Sequence, residues 1–271
     1  MTENLKLETE TLLVIGTDTG VGKTVFSGLF ARYLMDAGVG VRAVKPFCSG
    51  GMEDVEFLAE AQGGLGQVDL NFWYSDEPIS PAAWERRHSQ AVDFKGAINW
   101  INSLRSAVFR HQEGLGGQLP VGSGQAGVLL VEGVGGLLAP LAKGKTVASL
   151  GKAIGAQLIV VAPNRVGVIN QVLLTVEAAA QRGLEVACVV LMGQKEPDAS
   201  VAENADLIRD LMPDMAEFKG VFEFPWLGVG ADDSEQIGAN VKKAEKVLAK
   251  IIDACKLRGP SGCGVSDQPS D

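Results

Sequence analysis

Histidine and cysteine are scarce in this chain, and positive charge is in deficit. Only two histidines occur in 271 residues, His88 and His111, too far apart in sequence to suggest a histidine metal site or a catalytic triad. The four cysteines, Cys48, Cys188, Cys255 and Cys263, form no CxxC pair and show no metal-type spacing, which fits free thiols in a reducing compartment. Aspartate and glutamate number 33 against 24 lysines and arginines, and a net charge of −9 would repel a phosphate backbone, so general nucleic-acid binding is not expected. No apolar run of about 18 residues occurs, so no membrane span is expected. The opening MTENLKLETE is polar and acidic, unlike a targeting peptide, and the expected location is the cytoplasm.

What is present is a regular alternation. Short apolar runs at 11–16, 41–47, 127–133, 157–163, 186–192 and 220–224, all but the last nearly continuous, alternate with helical patterns at about 23–37, 54–62, 94–111, 146–155, 166–182, 200–211 and 235–256. Strands apolar on both faces belong inside a parallel sheet covered by helices. The expected fold class is therefore α/β: one doubly wound domain over 11–257, with about seven mostly parallel strands and ligand groups at the strands' C-terminal ends. Residues 1–10 and 258–271 read as flexible tails, and the glycine-rich 113–127 as a mobile loop.

Candidate chemistry clusters at strand ends. After the first strand, GTDTGVGKT runs into a helix: glycines let backbone N–H groups turn toward phosphate, Lys23 can neutralise it, and the Thr24 hydroxyl can ligate Mg2+. The spacing from Gly16 to Gly22 misses the general phosphate-loop spelling by one residue. Lys45 ends the second strand in KPFCSG, where a buried ammonium needs an anionic partner. Glu53, Asp54 and Glu56 open the next helix, either as dipole partners or as a metal ligand. Glu132, inside the apolar LLVEGVGGLLAPL, is a second acidic metal position beside Gly133, Gly135 and Gly136. Asn164, Arg165 and Asn170 follow a further strand, as helix cap or as ligand groups.

Taken together, GTDTGVGKT, KPFCSGG, PISPAAW, VEGVGGLLAPL, NRVGVINQVLLT and FPWL resemble the dethiobiotin synthetase family of P-loop ATPases, in order from about Leu12 to Leu227. The resemblance implies ATP- and Mg2+-dependent closure of 7,8-diaminononanoate and carbon dioxide to dethiobiotin, through a carbamate and its phosphoric anhydride. It implies a homodimer with substrate bound across the interface. By position, it implies a phosphate seat at Thr19, Gly20, Val21, Gly22, Lys23, Thr24 and Val25. Mg2+ would be held by Thr24, Asp54 and Glu132. Thr19, Lys23, Lys45 and Ser49 would be catalytic; Thr19, Lys45, Ser49, Gly135, Gly136 and the partner's Asn170 would meet the substrate. The base pocket would be formed by Gly193, Gln194, Pro225 and Leu227.

Two positions depart from the family pattern. Many members carry glutamate where Gly20 stands. The asparagine that reads the adenine edge is replaced at Gly193 or Gln194, so that either Gln194 substitutes for it or other nucleotides are tolerated. Related readings are weaker: the amide-forming ATPases of cobalamin synthesis carry a glutaminase domain that finds no place here. Partitioning and septum-positioning ATPases carry an extra lysine early in the loop, where this chain has Gly16, Thr17 and Asp18.

Overall fold

The structure is a computed structural model, and it describes residues 9–66, 69–105, 108, 127–212, 218–255 and 257. In chain order the elements are β1 (Thr9–Gly16), α1 (Lys23–Asp36), β2 (Gly40–Val44), β3 (Phe47–Ser49), α2 (Glu53–Ala61), β4 (Trp73–Ser75), α3 (Pro81–His88) and α4 (Phe94–Leu104). They continue as β5 (Gly127–Gly136), β6 (Pro140–Ala142), β7 (Lys145–Thr146), α5 (Val147–Ala153), β8 (Gln157–Pro163), α6 (Val168–Ala180), β9 (Val186–Met192), α7 (Val201–Leu211), β10 (Val221–Phe224) and α8 (Ile237–Ala254). Of the expected flexible segments 1–10, 113–127 and 258–271, Thr9 and Glu10 belong to β1 and Gly127 opens β5; the rest lie outside the described residues.

The central sheet has six strands in the order β10-β9-β8-β1-β5-β2, every pair parallel. The expected count of about seven is corrected to six. The apolar runs identify those six, and the remaining extended pieces, β3–β4 and β6–β7, form two separate two-stranded ribbons. The split at Pro46 explains the first ribbon. Proline lacks an N–H, and its carbonyl accepts from both Phe72 N and Trp73 N, so the chain leaves the main sheet there.

Strands β1, β8 and β9 are buried almost throughout, and Leu13, Val14, Ile15, Ile159, Val160, Val189 and Val190 have no exposure. Helix α1 lies against the sheet through Phe26 and Phe30, stacked with centroids 5.4 Å apart, and Phe26 meets Phe224 of β10 edge-on at 5.9 Å. Gly28 permits close helix packing, because a Cβ there would lie 2.5 Å from the Phe57 ring of α2. From β1 the chain crosses to the edge strand β2, returns to fill β5 between them, and then passes to the other side of β1 through β8, β9 and β10. Such a switch point opens a crevice at the strands' carboxyl ends, and the candidate residues converge there.

Candidate active site

The loop from β1 to α1 owes its shape to glycines. A Cβ at Gly16 would strike the Asp18 carbonyl and approach Lys23 Nζ to 3.0 Å, so only glycine fits where the strand ends. Gly22, at φ 96°, caps α1 and accepts from Phe26 N at 3.0 Å. Lys23 is buried and donates to the Asp18 carbonyl at 3.2 Å. Burial lowers its pKa first of all, and nearby Lys45 adds to this while Glu132 and Asp54 oppose it.

Beside it lies a compact ionic cluster. Lys45 Nζ donates to Glu132 Oε1 at 2.7 Å and to the Asp54 carboxylate, while Thr24 Oγ1 donates to the same Glu132 oxygen at 2.8 Å. Glu132 is 1% exposed and the Lys45 side chain 7%, whereas Asp54 is half-exposed at 47%. Burial alone would depress the Lys45 pKa, but Glu132 and then Asp54 raise it above the ordinary lysine value. For Asp54, burial pulls upward, and the charge and hydrogen bond of Lys45 more than offset it, so its carboxyl lies below the usual range. The sequence demanded an anionic partner for Lys45, and two are present.

Around this cluster opens a cavity of about 590 Å³. Of the expected phosphate, metal and substrate residues, it brings together Thr19, Gly20, Gly22, Lys23, Thr24, Val25, Lys45, Ser49, Asp54, Glu132 and Gly135. Val21 and Gly136 do not line it. Val21 is buried, and Gly136 packs on the first loop, where a Cβ would sit 3.3 Å from the Gly16 carbonyl. Gly20 has φ 70° and faces open space.

A second groove, of about 510 Å³, holds Gly193, Gln194 and Pro225 of the expected base pocket. Leu227 lines neither cavity, being buried at 7% exposure, whereas Trp226 is 47% exposed and borders both. In the run FPWL nothing in composition says which side chain turns outward. The turn after β10 points Leu227 into the core, and Trp226 takes the open side. Asn170 is exposed on α6 and lines neither cavity. Asn164 is buried, takes a hydrogen bond from Asn204 at 2.9 Å and joins β8 to β9 through its own N–H to the Met192 carbonyl. The sequence also gave no sign of the 228–232 loop, whose Val229 and Asp232 close the first cavity from above.

The oxygens of Thr24, Asp54 and Glu132 suit a hard divalent cation that keeps phosphate and water among its ligands. Glu132 Oε2 is buried with no hydrogen-bond partner, an acceptor that such a cation would satisfy. Among the described residues no helix is long and apolar enough to cross a membrane, and Cys48, Cys188 and Cys255 are free thiols.

A parallel α/β sheet with a glycine-shaped loop, buried lysine and G-K-T helix start is a P-loop nucleotide-binding domain, and residues 10–229 match the family described as AAA domain. The chain is 36% identical to the ATP-dependent dethiobiotin synthetase BioD of Anaeromyxobacter dehalogenans (strain 2CP-C) over 200 residues, covering 72% of this chain and 82% of that one. It is 31% identical to the enzyme of the same name from Corynebacterium diphtheriae over 230 residues, 83% of this chain and 90% of the relative. The chain belongs to the ATP-dependent dethiobiotin synthetase family. Among solved structures, the septum site-determining protein MinD with Mg-ADP from Pyrococcus horikoshii aligns at a TM-score of 0.47 and 12% identity, over 90% of this chain and 94% of that one.

Proposed function

We propose that the protein closes 7,8-diaminononanoate and carbon dioxide into dethiobiotin at the expense of ATP. The observation that carries this reading is Lys45, buried between two carboxylates at the floor of the cavity and facing the same space as Lys23 and Ser49. One substrate amine attacks carbon dioxide and loses a proton, giving a carbamate. A carbamate oxygen takes the γ-phosphoryl group and releases ADP. The second amine then attacks the carbamoyl carbon, and phosphate leaves as the cyclic urea closes.

Each charged residue has a place in that sequence. Lys23 and the backbone N–H groups of the first loop hold the β- and γ-phosphates. Lys45 keeps one of its three N–H donors after serving Asp54 and Glu132, and that donor stabilises negative charge on the carbamate and the transferring phosphoryl group. Thr19, Ser49 and Gly135 hydrogen-bond to the substrate's polar end. Mg2+, held by Thr24, Asp54 and Glu132, would supply charge neutralisation at the phosphates. Asn170 serves the site of a partner subunit in a homodimer; its exposure on α6, near the exposed Leu174, supports that face as the contact.

The test is release of ADP and phosphate on mixing protein, diaminononanoate, bicarbonate, ATP and MgCl2. Hydrolysis that depends on the diamine, with dethiobiotin found by mass spectrometry, is the expected result. Hydrolysis indifferent to the diamine would refute the synthetase reading.

A further inference from the structure

Ser49 borders the cavity from the end of β3, a strand of three residues that lies outside the central sheet. Its aim is set by what holds that short strand. β3 pairs with β4 in a two-stranded ribbon, Ser49 opposite Ser75, and Gly50 N donates to the Ser75 carbonyl at 2.9 Å. Ser75 is buried, and its hydroxyl accepts from Glu77 N at 3.2 Å. The turn that follows rests on Gly50, where φ is 86° and a Cβ would lie 2.9 Å from Pro78 Cβ. Glu77 then reaches the last turn of α3, where its carboxylate binds Arg87 and His88.

A second path returns from His88 to the same strand. The His88 ring stacks on Trp84 at 4.7 Å, Trp84 meets Trp73 edge-on at 5.6 Å, and Trp73 packs on buried Phe47 at 6.4 Å. A polar path from Ser49 and an aromatic path from Phe47 therefore meet at His88, one of the two histidines in the chain. The hydrogen bond of His88 first, and then that of Arg87, hold the Glu77 carboxyl below the usual carboxylate range. A carboxylate only accepts, so His88 Nε2 donates, and the circuit closes whether or not the ring is charged.

Glu77, Arg87 and His88 do not line the cavity. An ion pair so exposed adds little to global stability, whereas a small displacement of a group that meets substrate costs affinity. The phosphate seat stands apart from the circuit, on β1 and α1, and Lys45 is pinned by its two carboxylates. We propose that Glu77 and His88 are positioning residues: bound to each other, they close the circuit that aims Ser49 at the substrate, and nucleotide binding does not depend on them. The inference rests on Ser49 as a substrate contact and deepens that reading by naming what aims it.

The experiment compares the unaltered protein with Glu77→Ala, His88→Ala, the double variant and His88→Gln. Amide hydrogen exchange, and displacement of a fluorescent ADP labelled on its ribose in MgCl2, need no diamine; product formation gives kcat and KM for the diamine. Each single Ala variant should raise exchange across residues 47–50 but not in β1. Each should raise KM for the diamine about 3- to 10-fold, with kcat and the ADP dissociation constant within about twofold. The double variant should fall short of the product of the two single effects, because they share one contact. His88→Gln, whose Nε2 replaces the imidazole donor, should recover part of the loss. An unchanged KM, a matching loss of ADP binding, or effects that multiply overturn the proposal. If the unaltered protein makes no product from the diamine, the synthetase reading fails alone. Raised exchange at 47–50 in both Ala variants then still supports the circuit, and unchanged exchange sinks it.

Discussion

At one end of the cleft, Lys23, Lys45, Asp54 and Glu132 crowd together with three of the four largely buried; at the other, Gly193, Gln194, Pro225 and Trp226 form a groove with backbone contacts and an exposed ring. The first end is dominated by charges whose removal from water is offset only by one another. The second presents mostly neutral surface near the strand ends, with its cations Arg209, Lys243, Lys246 and Lys250 on exposed helix positions. The difference teaches where selectivity can arise. The charged end holds together through paired charges, whereas in the groove Gly193 is held to glycine by backbone, a Cβ there lying 2.5 Å from Trp226 N.

The largest effect should follow from Lys45→Ala. Turnover is expected to fall at least about 10²-fold in kcat, with nucleotide binding largely kept. The protein should also lose about 3–5 kcal/mol of stability, because buried Glu132 is left without its cation. A Lys45→Met, Glu132→Gln double variant removes both charges. Denaturant melts should show most of the stability returned, while a product assay shows no activity. Full activity in either variant would break the contrast between the two ends.

Next in size is Glu132→Gln, which removes one of the two carboxylates proposed to hold Mg2+. The MgCl2 concentration giving half-maximal turnover should rise at least about tenfold.

A smaller effect concerns pH. The Asp54 pKa is lowered on folding, so its stabilisation is complete above the ordinary carboxylate range and is lost as pH falls through the depressed folded value. The Lys45 pKa is raised, so its contribution is complete below the ordinary lysine range and is lost only as pH rises beyond it. Denaturation midpoints of the unaltered protein and of Asp54→Asn should therefore differ by a constant amount from about pH 5 to about pH 9 and converge below about pH 4. The smallest effect is at Cys48. Burial pushes its thiol up to about 11, and it donates to the Gly51 carbonyl at 3.0 Å, so maleimide labelling of the native protein at pH 7 should be far slower than after unfolding.

Much of this architecture was legible in the residues. The six apolar runs are the six strands of the sheet, because a strand covered on both faces has no freedom to be polar. Lys45 and Glu132 announced themselves in the same way, as charges in places where water is absent. Helix α3 was not identified, although Ser80 caps it by accepting from Ala83 N and Pro81 stands at its first turn. The signature was present, but a short polar helix has little apolar periodicity to reinforce it. The exchange of Leu227 for Trp226 was beyond reach, since it depends on the direction of one turn against β9. Asn164 was read as helix cap or ligand group; Gly167 caps α6 instead, and the buried bond of Asn164 to Asn204 could not be foreseen from residues 40 apart.

The strand order has a consequence for biosynthesis. β1 pairs with β5 and β8, and β2 pairs with β5, so the first two strands of the sheet have no contact as ladder partners. β5 is completed about ninety residues after β2, a delay of roughly 5–20 s at ribosomal speed. Through that interval the most apolar N-terminal segments wait with unpaired edges, and a chaperone that shields them should raise the yield of folded chain more than it would for a sheet built from sequential hairpins.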